Sequence, residues 1–120
     1  QKLNKKNIQV VILDKHNYHT FQPLLYQVAT AGLEPDSIAY PLRKLFQKSK
    51  NCFFRMAEVE KILSEDNLLL TNIGKLSYDY LAIATGSTTN FFNFENIKSE
   101  LMSMKSIPES LDLRSFWASA

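Results

Sequence analysis

The sequence predicts a mixed α/β fold with parallel strands and a small antiparallel meander. Two observations support this: the β-branched apolar run NIQVVILD at residues 7–14, and the alternating stretch that leads to LSYDYLAIATG at residues 76–86. Helical segments lie between them. The chain has 120 residues, 45% hydrophobic and 22% charged, which fits one globular domain.

The first predicted element is a strand over residues 8–13, preceded by polar residues 1–7 that read as the end of a helix. A short, nearly continuous apolar run is typical of a strand buried on both faces of a parallel sheet. After a loop at residues 15–22, Pro23 suits the start of a helix that ends at Gly32, a plausible C-terminal cap.

A second helix is predicted between residues 36 and 50. Asp36 or Ser37 can cap it, and because Pro41 lies inside the pattern, the regular part is expected to begin there. Its last turn is basic, which the helix dipole favours.

Residues 52–85 predict a meander of three strands. In the first, apolar side chains alternate onto one face, at Phe53, Ala57, Val59 and Leu63. Turns are expected at SEDN and IGK, and the third strand becomes fully apolar toward residue 84.

The last predicted element is a helix that follows a loop over residues 87–105. Ser106 and Glu109 have the Ser-x-x-Glu spacing of a capping box, and Pro108 lies in the first turn. We expect the helix to continue to about Trp117.

Charge and composition exclude several classes of protein. The net charge of +2, with both signs interspersed, indicates neither a nucleic-acid partner nor binding to an anionic membrane surface. No run of 18 apolar residues and no signal peptide occurs, so we expect a cytoplasmic location. The single cysteine, Cys52, is expected to be a small residue in a half-buried strand.

Asp14 ends the first predicted strand and is the leading candidate for a ligand contact. In dinucleotide-binding folds the acid at the end of the second strand accepts hydrogen bonds from the adenosine ribose. A carboxylate suits this role because it offers acceptors to the two donors of a diol. The alternative is that Asp14 forms a turn or cap.

Two further segments have both a structural and a ligand-binding interpretation. Small residues at Ala84, Thr85 and Gly86 let a backbone approach a flat ligand, or else form a tight turn that ends a strand. The apolar helix start from Phe21 to Tyr26 either packs as core or lines a site for a planar cofactor.

Metal and nucleophilic sites are not expected. His16 and His19 stand three apart, but no helical pattern surrounds them and no third His or second Cys is available. No G-x-S-x-G motif accompanies them, which argues against a hydrolase. We predict neither a metal nor catalytic residues within these residues.

The run VVILDKHNYHTFQPLLYQVATAGLEPDSIAYPLRKLF, followed by LSYDYLAIATGS, resembles the type II NADH dehydrogenases of the pyridine nucleotide-disulfide oxidoreductase superfamily. The resemblance implies a Rossmann-like FAD-binding fold over residues 1–120. It also implies an activity in which NADH reduces FAD and the flavin passes electrons to a quinone of the respiratory chain, on a protein peripheral to the membrane.

The resemblance also assigns roles by position. Asp14 would hold the adenosine ribose of FAD, and the backbone near Val59 would border the adenine. A segment facing the flavin ring and a segment lying against the cofactor would complete the site. The first segment consists of Phe21, Gln22 and Pro23, and the second consists of Ala84, Thr85 and Gly86.

Parts of the family pattern are missing from these residues. The three glycines, Gly32, Gly74 and Gly86, form no G-x-G-x-x-G turn for the FAD pyrophosphate. We therefore expect an internal fragment of the FAD domain that lacks the first strand, is inactive alone, does not retain FAD, and self-associates through exposed strands. The alternatives are a non-enzymatic α/β binding module and, less favoured, a sulfide:quinone oxidoreductase.

Overall fold

A computed structural model describes residues 7–92, 97 and 100–119 of the chain. These residues form short strands and helices in a mixed α/β arrangement, as predicted. Of the helix end predicted over residues 1–7, residues 1–6 lie outside the described part of the chain. The elements, in chain order, are β1 Val10–Asp14, β2 Tyr18–Thr20, α1 Leu25–Ala29, β3 Ala39–Pro41, α2 Leu42–Phe46, β4 Cys52–Met56, β5 Val59–Leu63, β6 Leu68–Thr71, β7 Gly74–Ser77 and α3 Ile107–Ser119.

The chain folds into two compact units. As far as its residues are described, the first unit spans residues 1–19 and 41–84, and the second spans residues 20–40 and 85–120. The strands form three small sheets, with orders β1-β4, β2-β3 and β5-β6-β7.

In the first unit, β1 pairs with β4 in parallel. The first strand begins two residues later than predicted, but its parallel pairing is confirmed. Val10 lies opposite Cys52 and Asp14 lies opposite Met56. The two strands therefore end together at one edge of the pair.

The prediction of one continuous alternating strand from Phe53 to Leu63 is wrong. It is broken at residues 57–58 into β4 and β5, which belong to different sheets. Phe54 is buried at 7% exposure, whereas Phe53 is 41% exposed. Helix α2 packs against β4, and the Arg43 guanidinium lies 6.0 Å from the centre of the Phe54 ring, so this packing selects the opposite face from the one predicted.

Helix α2 follows Pro41 directly, so the predicted start of its regular part is confirmed. Asp36 and Ser37 do not cap it, because they lie in a separate one-turn 3-10 helix, Pro35–Ser37, that β3 follows. The helix ends at Phe46 rather than near residue 50.

The antiparallel meander is confirmed as β5, β6 and β7, with a bulge in β5 between Val59 and Lys61. Its third strand is shorter than predicted and ends at Ser77. Residues 79–84 form no strand, and Tyr80 and Ile83 are 97% and 66% exposed. No strand in the described part of the chain pairs with this segment, so its backbone lacks the hydrogen-bond partners that a buried strand requires.

In the second unit, Pro23 lies in a one-turn 3-10 helix, Gln22–Leu24, which continues into α1. The cap predicted at Gly32 is wrong by one position. Ala31 takes the left-handed conformation, with φ of 59°, and the Gly32 N–H then donates to Gln27 O at 2.7 Å. The backbone turn thus forms despite the Cβ of alanine.

The core of the second unit joins one face of α1 to the N-terminal end of α3. Leu25, Val28 and Ile38 are at most 4% exposed, and Leu24, Leu33 and Ile107 pack against them. Burying side chains of this size contributes about 1.5–3 kcal/mol each. This packing leaves the opposite face of α1 toward solvent.

The capping box predicted at α3 is confirmed. The Glu109 carboxylate accepts a hydrogen bond from the Ser106 N–H at 2.9 Å, and the Ser106 hydroxyl accepts one from the Glu109 N–H at 3.4 Å. Glu109 also accepts from the Ser103 hydroxyl and the Lys105 N–H, each at 2.6 Å. One carboxylate therefore organises the turn that enters the helix.

Replacing Glu109 with Gln is expected to destabilise α3 by about 1 kcal/mol near neutral pH, the usual size of a capping contribution. Hydrogen bonds from the Ser103 hydroxyl and then the Lys105 N–H lower the pKa of Glu109 below its ordinary value of 4.5. The stabilisation is therefore full above the unfolded-state pKa and is lost as pH falls through the folded-state pKa.

Thermal unfolding followed by far-UV circular dichroism should show this difference near pH 7 and a smaller difference at about pH 3. Glu65→Gln, in an exposed turn, serves as the control. A difference that is the same at both pH values would contradict the assigned role of the carboxylate.

Candidate functional site

Asp14 is half-buried at the carboxyl end of the parallel pair. Its Oδ1 accepts a hydrogen bond from the His16 N–H at 2.8 Å, so the turn-forming interpretation of this residue is correct. Among the described residues, Oδ2 has no hydrogen-bond donor. The carboxylate therefore shapes the loop with one oxygen and keeps the other available for a ligand, at the sheet edge where α/β folds bind ligands.

The backbone that precedes Val59 lies beside Asp14 in the same unit. The Ala57 N–H donates to Asp14 O at 2.9 Å, which continues the β1-β4 pairing by one residue. The Glu58 N–H donates to Asn72 Oδ1 at 2.9 Å, which fixes the crossing into β5, where Val59 is 39% exposed. Asp14 and the segment at residues 57–59 thus meet at one edge of the parallel pair.

Phe21, Gln22 and Pro23 are exposed in the second unit, on the side of the helix start that faces away from its core. The Phe21 N–H donates to Ile38 O at 2.9 Å, which holds the backbone in place while the Phe21 side chain is 53% exposed. Tyr26, one turn later, is 51% exposed. Two aromatic side chains near the start of α1 are therefore exposed.

The Ala84-Thr85-Gly86 segment is exposed and has no regular secondary structure. Gly86 has a φ of +75°, so the sharp exit predicted at this glycine is confirmed. Ala84 ends the first unit, and Thr85 and Gly86 begin the later part of the second.

Within the second unit, a residue that the sequence did not single out connects two of the predicted segments. Gln22 Nε2 donates to Lys105 O at 3.4 Å, and Lys105 Nζ donates to Ser87 Oγ at 2.9 Å and to Ser87 O at 3.3 Å. Lys105 directly precedes the capping box, and this neighbourhood was the sequence feature that could have indicated a fixed backbone position for it.

The expectation for Cys52 is confirmed. Cys52 begins β4 and is half-buried, and burial raises the pKa of its thiol. His16 stacks on Tyr18 with ring centres 5.3 Å apart. Among residues 7–92, 97 and 100–119, no group of three His, Cys, Asp or Glu side chains could hold a metal ion.

A shallow depression of about 350 Å³ lies in the first unit, away from Asp14. It is at the amino end of β1 and β4, the edge that α/β sheets do not use for ligands. Its lining residues are Asn7, Ile8, Gln9, Lys50, Asn51 and Phe53.

Comparison with known proteins identifies the family of this chain. Residues 1–116 match the family model of the pyridine nucleotide-disulphide oxidoreductases. The chain belongs to this family. The resemblance to the type II NADH dehydrogenases and the Rossmann-like fold class predicted from the sequence are both confirmed.

One curated relative of this oxidoreductase chain is the type II NADH:quinone oxidoreductase Ndh of Mycobacterium tuberculosis, 32% identical over 121 residues. The match covers 95% of this chain and 26% of that protein. The chain therefore spans about a quarter of the length of this relative.

Two solved structures share the fold. NDH2 of Plasmodium falciparum in complex with NADH has a TM-score of 0.79 at 26% identity, covering 88% of this chain and 23% of that one. The sulfide:quinone oxidoreductase of Aquifex aeolicus has a TM-score of 0.82 at 25% identity, covering 92% of this chain and 26% of that one.

None of the helices in the described part of this oxidoreductase chain has the length and apolar character needed to cross a bilayer.

Proposed function

We propose that this chain forms part of the FAD-binding domain of an NADH:quinone oxidoreductase. The observation that carries the proposal is the Asp14 carboxylate, which ends a parallel strand beside the backbone of residues 57–59 and whose Oδ2 has no hydrogen-bond donor in the described part of the chain. Similarity to the type II NADH:quinone oxidoreductase of M. tuberculosis supports the choice of reaction.

The residues fit the cofactor in part. Asp14 would accept hydrogen bonds from the adenosine ribose, and the backbone at Val59 would border the adenine. Exposed Phe21, with Gln22 and Pro23, would face the flavin, and Thr85 and Gly86 would approach it through their backbone. When bound, FAD would take a hydride from NADH and pass two electrons to a quinone.

These residues contain no glycine-rich turn of the kind that binds the phosphates of FAD. The three glycines are far apart in the sequence, and no G-x-G-x-x-G turn is present to supply backbone N–H groups to a pyrophosphate. We therefore propose that the 120 residues by themselves bind FAD weakly and have no NADH:quinone activity. A quinone as acceptor is consistent with a natural protein that works at the cytoplasmic surface of a membrane.

A sulfide:quinone oxidoreductase is the second candidate, supported by the similarity to the A. aeolicus enzyme. We favour NADH as the donor because the NADH:quinone oxidoreductase of M. tuberculosis is 32% identical over 95% of this chain, whereas the A. aeolicus enzyme is 25% identical.

The first prediction concerns the natural protein that carries this sequence. Purified from its host, it should release FAD on denaturation and oxidise NADH in the presence of a soluble quinone, with little oxidation of sulfide under the same conditions. Flavin absorbance and loss of NADH absorbance measure both properties. Absence of flavin, or oxidation of sulfide in preference to NADH, would overturn the proposal.

The second prediction concerns Asp14. Asp14→Asn keeps an oxygen that can accept the His16 N–H but removes the charged acceptor, so affinity for FAD should fall roughly 10- to 100-fold, as expected for hydrogen bonds to a charged group. The natural protein that carries this sequence is freed of flavin and titrated with FAD, and flavin fluorescence measures the change in affinity. Asp66→Asn, in the exposed turn of residues 64–67, should bind FAD as the unmodified protein does. Equal affinity in the Asp14 variant would remove this residue from the site.

The third prediction is that the isolated 120-residue chain self-associates. Among the described residues, β1 has a strand partner on one of its two edges, and the apolar segment at residues 79–84 is exposed and pairs with no strand. Light scattering at micromolar concentration should therefore give a mass above that of a monomer.

Ile83→Lys should shift this chain toward the monomer, because a charge on the apolar segment opposes its burial against a second copy. Ile73→Lys is the matched control, since Ile73 is 62% exposed and Ile83 is 66% exposed, but Ile73 lies in the β6-β7 turn. A monomeric unmodified chain, or equal effects of the two substitutions, would contradict the prediction.

A further inference from the structure

Lys105 joins three segments of the second unit with three different polar groups. Its N–H donates to the Glu109 carboxylate at 2.6 Å, its carbonyl accepts from Gln22 Nε2 at 3.4 Å, and its ammonium donates to both oxygens of Ser87. Gln22 is 83 residues away in the chain and Ser87 is 18 residues away. The residue therefore connects the helix start at Gln22 to the segment that follows Gly86.

The hydrogen bonds to Ser87 are the feature that carries the inference. Residues 79–89 belong to no helix or strand, and among the described residues no other hydrogen bond involves them. A segment without ladder partners has low local stability and many accessible conformations. The Lys105 ammonium thus provides the hydrogen bonds that hold this backbone among the described residues, one residue from Gly86.

Lys105 itself is held firmly. The Glu109 carboxylate accepts from the N–H groups of both Lys105 and Ser106, so the backbone at Lys105 is part of the structure that starts α3. Ile107, at the start of the same helix, packs against the core of the unit. The helix cap therefore fixes the backbone position from which the Lys105 side chain reaches Ser87.

We propose that Lys105 is a positioning residue for the flavin site. It fixes the backbone of Thr85 and Gly86 relative to Gln22, so that both segments meet the cofactor without a further ordering cost on binding. This inference rests on the proposed function, because Thr85, Gly86 and Gln22 bind FAD only if the chain is part of a flavoprotein.

The test uses the natural protein that carries this sequence, with three substitutions. Lys105→Met keeps most of the side-chain length and removes the ammonium. Lys105→Arg keeps a cationic donor. Lys75→Met, on the exposed strand β7 where the Lys75 side chain has no hydrogen-bond partner among the described residues, is the control for loss of one positive charge.

Lys105→Met is expected to weaken FAD binding at least tenfold and to change the visible circular dichroism of bound flavin, because the backbone at Gly86 no longer holds one geometry. Lys105→Arg should stay within about threefold of the unmodified protein, and Lys75→Met within about twofold. Apoprotein titration with FAD measures the affinities, and far-UV circular dichroism of the apoproteins reports whether α3 is intact.

Ser87→Ala provides an independent route if Lys105→Met fails to fold. It removes the hydroxyl acceptor and leaves the carbonyl, so affinity for FAD is expected to fall about two- to threefold, and unchanged affinity would contradict the inference. Where Lys105→Met does fold, this loss should vanish in the double variant.

Three results would overturn the inference: normal FAD affinity in a folded Lys105→Met protein, equal losses in the Met and Arg variants, or additive effects of the Ser87 and Lys105 substitutions. Failure of the unmodified protein to bind FAD would instead overturn the proposed function, so the two outcomes are distinguishable.

Discussion

The parallel pairing of β1 with β4 is the constraint on which the first unit depends. Hydrogen bonds begin the pair at Val10 N–H to Asn51 O, 2.8 Å, and close it at Ala57 N–H to Asp14 O, 2.9 Å. Because parallel strands end at the same edge, this pairing alone brings Asp14 beside a segment 43 residues later in the chain. The adenosine part of the proposed site is thus a consequence of backbone geometry.

The second unit depends on a different kind of anchor. A single carboxylate, that of Glu109, accepts hydrogen bonds from three residues before it and starts α3. That helix packs against α1, whose opposite side carries exposed Tyr26. Polar capping at one point and apolar packing along one face together decide which side chains remain available to a ligand.

The need to pair backbone N–H and C=O groups explains which of the predicted strands form and which does not. β5, β6 and β7 pair with neighbours in sequence and form a regular meander. Residues 79–84 are also largely apolar, yet they have no strand partner in the described part of the chain and form no strand. Apolar character selects a segment for burial, but a strand exists only where its N–H and C=O groups are paired.

Features that depend on a few neighbouring residues could be predicted without a structure: the acid that ends β1, the capping box of Ser106 and Glu109, the positive φ at Gly86 and the meander. Their energetics are local, so their patterns are visible in short stretches of sequence. The inward face of β4, the end of the third meander strand and the contacts of Lys105 with Gln22 and Ser87 could not. Each depends on a partner far away in the chain, and no short pattern records whether that partner is in place.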